Sequence, residues 1–167
     1  MQTIWITGGS SGIGFATAKE FLKNDWQVII SSSSQEKLNN AKTRLNEFNK
    51  KNLLHIIKCD ISIKKEVDET VENIEKNIGK IDIALLNASA YSPNKDQTFN
   101  ISNYELLIDV NIKGTLYCIN KLKDFMKFRD NTIAIISSPL GYRGWPTAGA
   151  YGISKAAQLS LSETLFF

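Results

Sequence analysis

The chain has 167 residues, of which 20 are Lys or Arg and 17 are Asp or Glu, for a formal charge of +3. Hydrophobic residues make up 43% and charged residues 22%. This suits a single globular domain and excludes collagen-like, disordered and coiled-coil chains. The near balance of charge, with only short clusters such as Lys50-Lys51, gives no argument for nucleic acid or an anionic membrane as a partner.

Thr3 to Thr7 is a short apolar run rich in β-branched residues and stopped by Gly8-Gly9, so it reads as a buried strand. Ile13 to Asn24 carries apolar residues at helical spacing. Trp26 to Ser31 is a second strand. Ser33 with Glu36 fits a capping box opening a helix to about Phe48. Leu53 to Cys59 is a third strand. Val67, Val71, Ile74 and Ile78 mark one helix face, and Ile81 to Leu86 a fourth strand. Ser102 with Glu105 fits a second capping box, opening a long helix to about Phe128. Thr132 to Ser137 is a fifth strand, and a last helix runs from about Ala150 to the end. Five apolar strands separated by helices predict a parallel sheet covered on both faces, a doubly wound, Rossmann-like α/β fold in one domain.

No apolar run reaches membrane-spanning or secretory-signal length, so the expectation is a cytoplasmic protein without a membrane partner. Two cysteines, Cys59 and Cys118, and one histidine, His55, exclude a disulfide framework and a His/Cys zinc site. All three are read as structural. The chain stops at Leu165-Phe166-Phe167 inside an apolar helical pattern, with no glycine cap or basic last turn. It therefore reads as the N-terminal part of a longer chain.

Three features carry chemistry. Between the first strand and the first helix lies Thr7-Gly8-Gly9-Ser10-Ser11-Gly12-Ile13-Gly14. Glycines there permit a tight turn and let backbone approach a pyrophosphate seated on the helix N-terminus. No Gly-Lys-Ser/Thr follows, which excludes a P-loop. Tyr151 and Lys155 stand at i and i+4, on one helix face. An ammonium beside a phenol favours the phenolate, the form a general base requires. Ser137 and Ser138 end the fifth strand, at the carboxyl edge where open α/β sheets bind ligands.

In this order and spacing the features resemble the short-chain dehydrogenase/reductase family, over the whole chain. Its T-G-x-x-x-G-x-G pattern is met by Thr7, Gly8, Gly12 and Gly14, and its Y-x-x-x-K pair by Tyr151 and Lys155. Its serine corresponds to Ser138, its helix asparagine to Asn111 and its acidic residue after the third strand to Asp60. The resemblance implies that Tyr151 exchanges a proton with a carbonyl or alcohol oxygen. Lys155 would assist Tyr151 and hold the nicotinamide ribose, and Ser138 would orient the substrate oxygen. Asn111 would hold a water linking Lys155 to solvent. Asp60 and Ile61 would meet the adenine, and Asn87 and Ala88 the ribose side. Ser10, Ser11 and Ile13 complete the cofactor turn.

Three departures qualify the match. Leu86-Asn87-Ala88-Ser89 keeps half of the family's Asn-Asn-Ala-Gly, with Ser89 where a glycine admits close backbone approach. Ser32 stands where NAD users carry an acid, and Ser33 where NADP users often carry arginine. With no carboxylate to repel a 2′-phosphate and Lys37 in reach, NADP is the preferred cofactor and NAD the alternative; no metal is expected. Finally, the chain covers the first two-thirds of the family's length, which leaves the fifth strand as a sheet edge. Tyr142, Arg143 and Trp145 either line a substrate pocket or pack in a loop. The resemblance also implies a homo-oligomer paired through the last two long helices. The function expected is an NAD(P)-dependent oxidoreductase acting on a small carbonyl or alcohol. The alternative is a naturally short, non-catalytic dinucleotide-binding protein.

Overall fold

The computed structural model describes residues 1–93, 99–127 and 129–165. Five strands form one parallel sheet: β1 (Thr3–Thr7), β2 (Gln27–Ser32), β3 (Leu54–Lys58), β4 (Ile83–Leu86) and β5 (Thr132–Ile135). Their order is β3-β2-β1-β4-β5. The helices between them are α1 (Gly12–Lys23), α2 (Gln35–Leu45), α3 (Lys64–Asn73), α4 (Ile101–Leu107), α5 (Gly114–Met126) and α6 (Gly149–Thr164). The doubly wound arrangement expected from the sequence is the one observed.

Side chains alternate across a strand, and here both faces are covered. Ile4, Ile6, Val28, Ile30 and Leu85 pack with Ala18, Leu22, Leu38, Ala41 and Leu45 of α1 and α2. Trp5, Ile29, Ala84 and Leu86 pack on the other face with Val67, Val71, Cys118, Leu122 and Met126 of α3 and α5. The Trp5 indole, fully buried, donates to Ser31 Oγ at 3.0 Å. Two buried faces are why the strands read as continuous apolar runs rather than alternating ones.

His55 is half-buried and both cysteines are buried. The His55 ring meets the Gln27 amide at 3.2 Å, and burial, with Lys42 nearby, holds its pKa below the usual histidine value. Cys59 and Cys118 are buried free thiols. Burial pushes Cys59 up to about 11 and raises Cys118 further.

Two caps differ from the expected boxes. The cap of α2 is Ser34, not Ser33: its Oγ accepts from the Lys37 N–H at 3.3 Å. Ser32 still pairs with Lys58 in the sheet, and its Oγ accepts from the Ser34 N–H at 3.4 Å, so extended backbone persists to Ser34. The cap of α4 is Asn100, not Ser102: its Oδ1 accepts from the Ser102 N–H at 3.1 Å. Asparagine caps as well as serine, and it comes first in the chain. The long helix expected from Ser102 is α4 and α5 joined by a π turn, Ile108–Lys113. A second π turn, Ile74–Ile78, follows α3. The expected helix end at Phe128, and the terminal Phe166 and Phe167, lie outside the described residues.

Among the described residues no helix is long and apolar enough to cross a membrane, and no group of three or more His, Cys, Asp or Glu side chains could hold a metal.

Candidate active site

The chain leaves β1 towards β2 on one side and crosses to β4 on the other, so the order reverses between β1 and β4. Loops diverge at such a switch point and leave a crevice beyond the carboxyl ends of the strands. Here it is a cleft of about 590 Å³.

Its floor is the glycine turn. Gly8 has φ +64°, and a Cβ there would lie 2.8 Å from Ala88 Cα. A Cβ on Gly14 would lie 2.6 Å from Asn87 Nδ2 and 2.7 Å from the Gly8 carbonyl oxygen. Gly12 faces open space but has φ +55°, where any other residue is strained. The turn is thus pressed onto the end of β4 and tied there. Thr7 Oγ1 accepts from the Asn87 and Ala88 N–H groups, each at 3.0 Å. Asn87 Nδ2 donates to the Thr7 and Gly8 carbonyls at 3.0 and 3.1 Å. Asn87 therefore lines the cleft and also clamps the turn. Ser10, Ser11, Gly12 and Ile13 line the same wall. Helix α1 starts there with no side-chain cap and no acidic residue in its first turn, so its positive end is available to an anion.

At one end the cleft is lined by Ser32, Ser33 and Lys37, and by Cys59, Asp60 and Ile61. The Asp60 carboxylate accepts from the Ser62 N–H at 3.0 Å and from its hydroxyl at 2.7 Å. Ser89 is exposed on the rim, its hydroxyl donating to the Ala90 carbonyl at 3.2 Å.

At the other end Tyr151 and Lys155 enter from α6. Lys155 Nζ lies 5.4 Å from the centroid of the Tyr151 ring, and the Tyr91 ring packs edge-on against Tyr151 at 4.9 Å. Lys155 is 1% exposed, and burial pushes its ammonium down to about 8. It donates to the Ile136 carbonyl and to Gln158 Oε1, each at 2.9 Å. Ser137 is committed elsewhere, its hydroxyl donating to the Lys155 carbonyl at 3.0 Å. Ser138 Oγ accepts from the Leu140 N–H at 3.2 Å as the cap of a 3₁₀ turn, which leaves its own proton to donate. Ser138 stands beside the cleft rather than among its lining residues.

Asn111 is fully buried behind the cleft wall. Its side chain receives the Ala90 N–H at 2.7 Å and donates to the Ala90 carbonyl at 3.0 Å and to Ser154 Oγ at 2.9 Å. It thereby fixes Ala90, a cleft residue. Its main-chain carbonyl accepts from Thr115 Oγ1 at 2.7 Å and Gln158 Nε2 at 2.9 Å.

Ala90, Leu106, Val110 and Ile136 also line the cleft and Gln158 holds Lys155, though none of them belongs to a motif legible in the sequence. The lining residues are apolar side chains with no motif of their own. Gln158 had one visible signal, a polar side chain three residues after Lys155 in an apolar stretch. Tyr142 and Trp145 are 81% and 61% exposed and do not line the cleft.

A family model of short chain dehydrogenases matches residues 2–167. The chain belongs to the short-chain dehydrogenase family. Similar chains include an uncharacterized oxidoreductase of Staphylococcus epidermidis, 29% identical over 96% of this chain and 68% of the relative. One of Staphylococcus saprophyticus is 31% identical over the same shares. Among solved structures, a short chain dehydrogenase from Bacillus anthracis superposes with a TM-score of 0.91 at 25% identity, covering 98% of this chain and 66% of that one. An NAD+-bound xylitol dehydrogenase gives 0.90 at 24%, covering 98% and 63%. This short-chain dehydrogenase chain thus spans about two-thirds of the length of the relatives it matches.

Proposed function

We propose that this short-chain dehydrogenase chain carries the cofactor cleft and catalytic residues of an NAD(P)-dependent oxidoreductase that interconverts a carbonyl and a secondary alcohol. The observation that supports it is one juxtaposition: Tyr151 and Lys155 line the same cleft as the glycine turn. A nicotinamide dinucleotide, when bound, supplies or accepts the hydride. The cradle fits such a group, since the glycine turn and the uncapped start of α1 line the cleft.

The chain's own residues handle the proton. Tyr151 Oη gives its proton to the carbonyl oxygen as the alcohol forms, and takes it back in the reverse direction. Lys155, one turn on, favours the tyrosinate left behind. The free hydroxyl proton of Ser138 orients the substrate oxygen. Asn111 acts on the site through Ala90. Tyr151→Phe, in the protein as its cell makes it, is expected to lose roughly 10²–10⁴-fold in turnover with its fold intact. Turnover that survives the substitution would remove Tyr151 from the mechanism.

NADP is the preferred cofactor. Ser32 and Ser33 offer hydroxyls at the end of β2 and Lys37 offers a cation, while the Asp60 carboxylate at the same end is bonded to Ser62. Fluorescence titration is expected to show NADPH binding more tightly than NADH, and Lys37→Ala to narrow the gap. A preference for NADH would reverse this reading. An intact Tyr–Lys pair favours an enzyme over a short dinucleotide-binding protein, which has no use for one.

A further inference from the structure

The site contains a buried amide that the proposed mechanism leaves without a role. Gln158 lies one turn beyond Lys155 on α6 and is 2% exposed. Burying an amide costs free energy unless its groups are bonded, and here all of them are. Oε1 accepts from Lys155 Nζ at 2.9 Å. Nε2 donates to the Asn111 carbonyl and to Thr115 Oγ1, each at 2.9 Å. The chemistry fixes the orientation of the amide. Reversed, it would set an NH₂ against an ammonium and an oxygen against a carbonyl.

Two consequences follow. Thr115 gives its one proton to the Asn111 carbonyl at 2.7 Å, so with Gln158 both lone pairs of that oxygen face protein donors. Lys155, for its part, has two of its three N–H groups held, by Ile136 and Gln158, and one left for the cleft it shares with Tyr151.

We propose that Gln158 is a positioning residue for Lys155: its amide joins the ammonium directly to the Asn111 carbonyl and fixes where the remaining lysine proton points. In this chain the Gln158 amide donates to the Asn111 carbonyl, where the family resemblance has Asn111 hold a water linking Lys155 to solvent. The proposal rests on the reading of Tyr151 and Lys155 as the proton-handling pair. Around the ammonium, Tyr151 is the titratable group from α6 itself, and the segment between β5 and the 3₁₀ turn presents the Ile136 carbonyl. The π turn and α5 present Asn111 and Thr115. Asp60 and Cys59 line the same cleft from the end of β3.

The test is the titration of Lys155 in the ligand-free protein as its cell makes it, followed by NMR of ¹³C-labelled lysine Cε and assigned with Lys155→Met. Gln158→Met keeps the length of the side chain but accepts no such bond. It is expected to lower the Lys155 midpoint by about one pH unit, and Gln158→Glu to raise it by about as much. Circular dichroism establishes that each variant is folded, and two variants of opposite sign keep the test open if one is not. In the active protein the pH profile of kcat is expected to move the same way, with KM for the substrate little changed. A Lys155 midpoint unmoved in a folded variant overturns the proposal, as does a kcat profile that ignores a moved midpoint. Loss of the oxidoreductase reading is a separate result, read from Tyr151→Phe, and it leaves the lysine titration standing.

Discussion

Lys155 carries the largest electrostatic cost in the site. Its folded-state value of about 8 stands against an ordinary 10.5. Below pH 8 the ammonium is charged in both folded and unfolded chains, and the fold bears the full cost of burying it. Between pH 8 and 10.5 the folded chain has released the proton and the unfolded chain still holds it, so stability rises with pH across that window. The size is about 3 kcal/mol. Urea unfolding at pH 7 and pH 10 is expected to show this rise in the natural chain relative to Lys155→Met, where it should vanish. Parallel curves would mean that the lysine is not desolvated. A family resemblance assigns Lys155 its task, but the neighbours that burial demands of it, Ile136 and Gln158, come from 19 residues back and 3 residues on. The residues of the cleft's Tyr–Lys pair were thus legible in the motifs, whereas the hydrogen bonds that hold them were not.

At the scale of elements, the strands and helices were readable because a two-sided parallel sheet writes itself as short apolar runs between helical periods. The boundaries were less so. Ser33 and Ser102 satisfy the capping pattern, yet Ser34 and Asn100 do the capping. Pattern alone cannot decide between adjacent candidates, because the cap is the last residue that sheet or loop holds extended. Asn100→Ala is expected to lower stability by about 1 kcal/mol, and Ser102→Ala by a few tenths at most. Equal effects in thermal unfolding would return the cap to Ser102. The π turn at Ile108–Lys113 was also hidden. It breaks the 3.6-residue period and places Asn111 against Ala90, and no spacing in the sequence announces it.

For the whole molecule, α4, α5 and α6 leave apolar side chains outward, Ile101, Leu116 and Ile153 among them. Among the described residues β5 pairs with β4 alone. Exposed apolar helix faces promote association. The protein as its cell makes it is expected to run as a homo-oligomer in size-exclusion chromatography. Leu116→Glu with Ile153→Glu should shift it towards monomer, and a monomeric natural protein would sink this expectation.

The sequence by itself determined the alternation of strands and helices, the glycine turn and the Tyr151–Lys155 pair. Each is local: a period, a turn or an i, i+4 spacing that near neighbours in the chain dictate. Only the tertiary structure decided which groups meet. It put Asn87 on the glycine turn, Asn111 behind the cleft and Gln158 between Lys155 and the Asn111 carbonyl. Those meetings depend on how strand order and helix packing bring distant segments together, and a buried polar group takes its partners from whatever that packing places beside it.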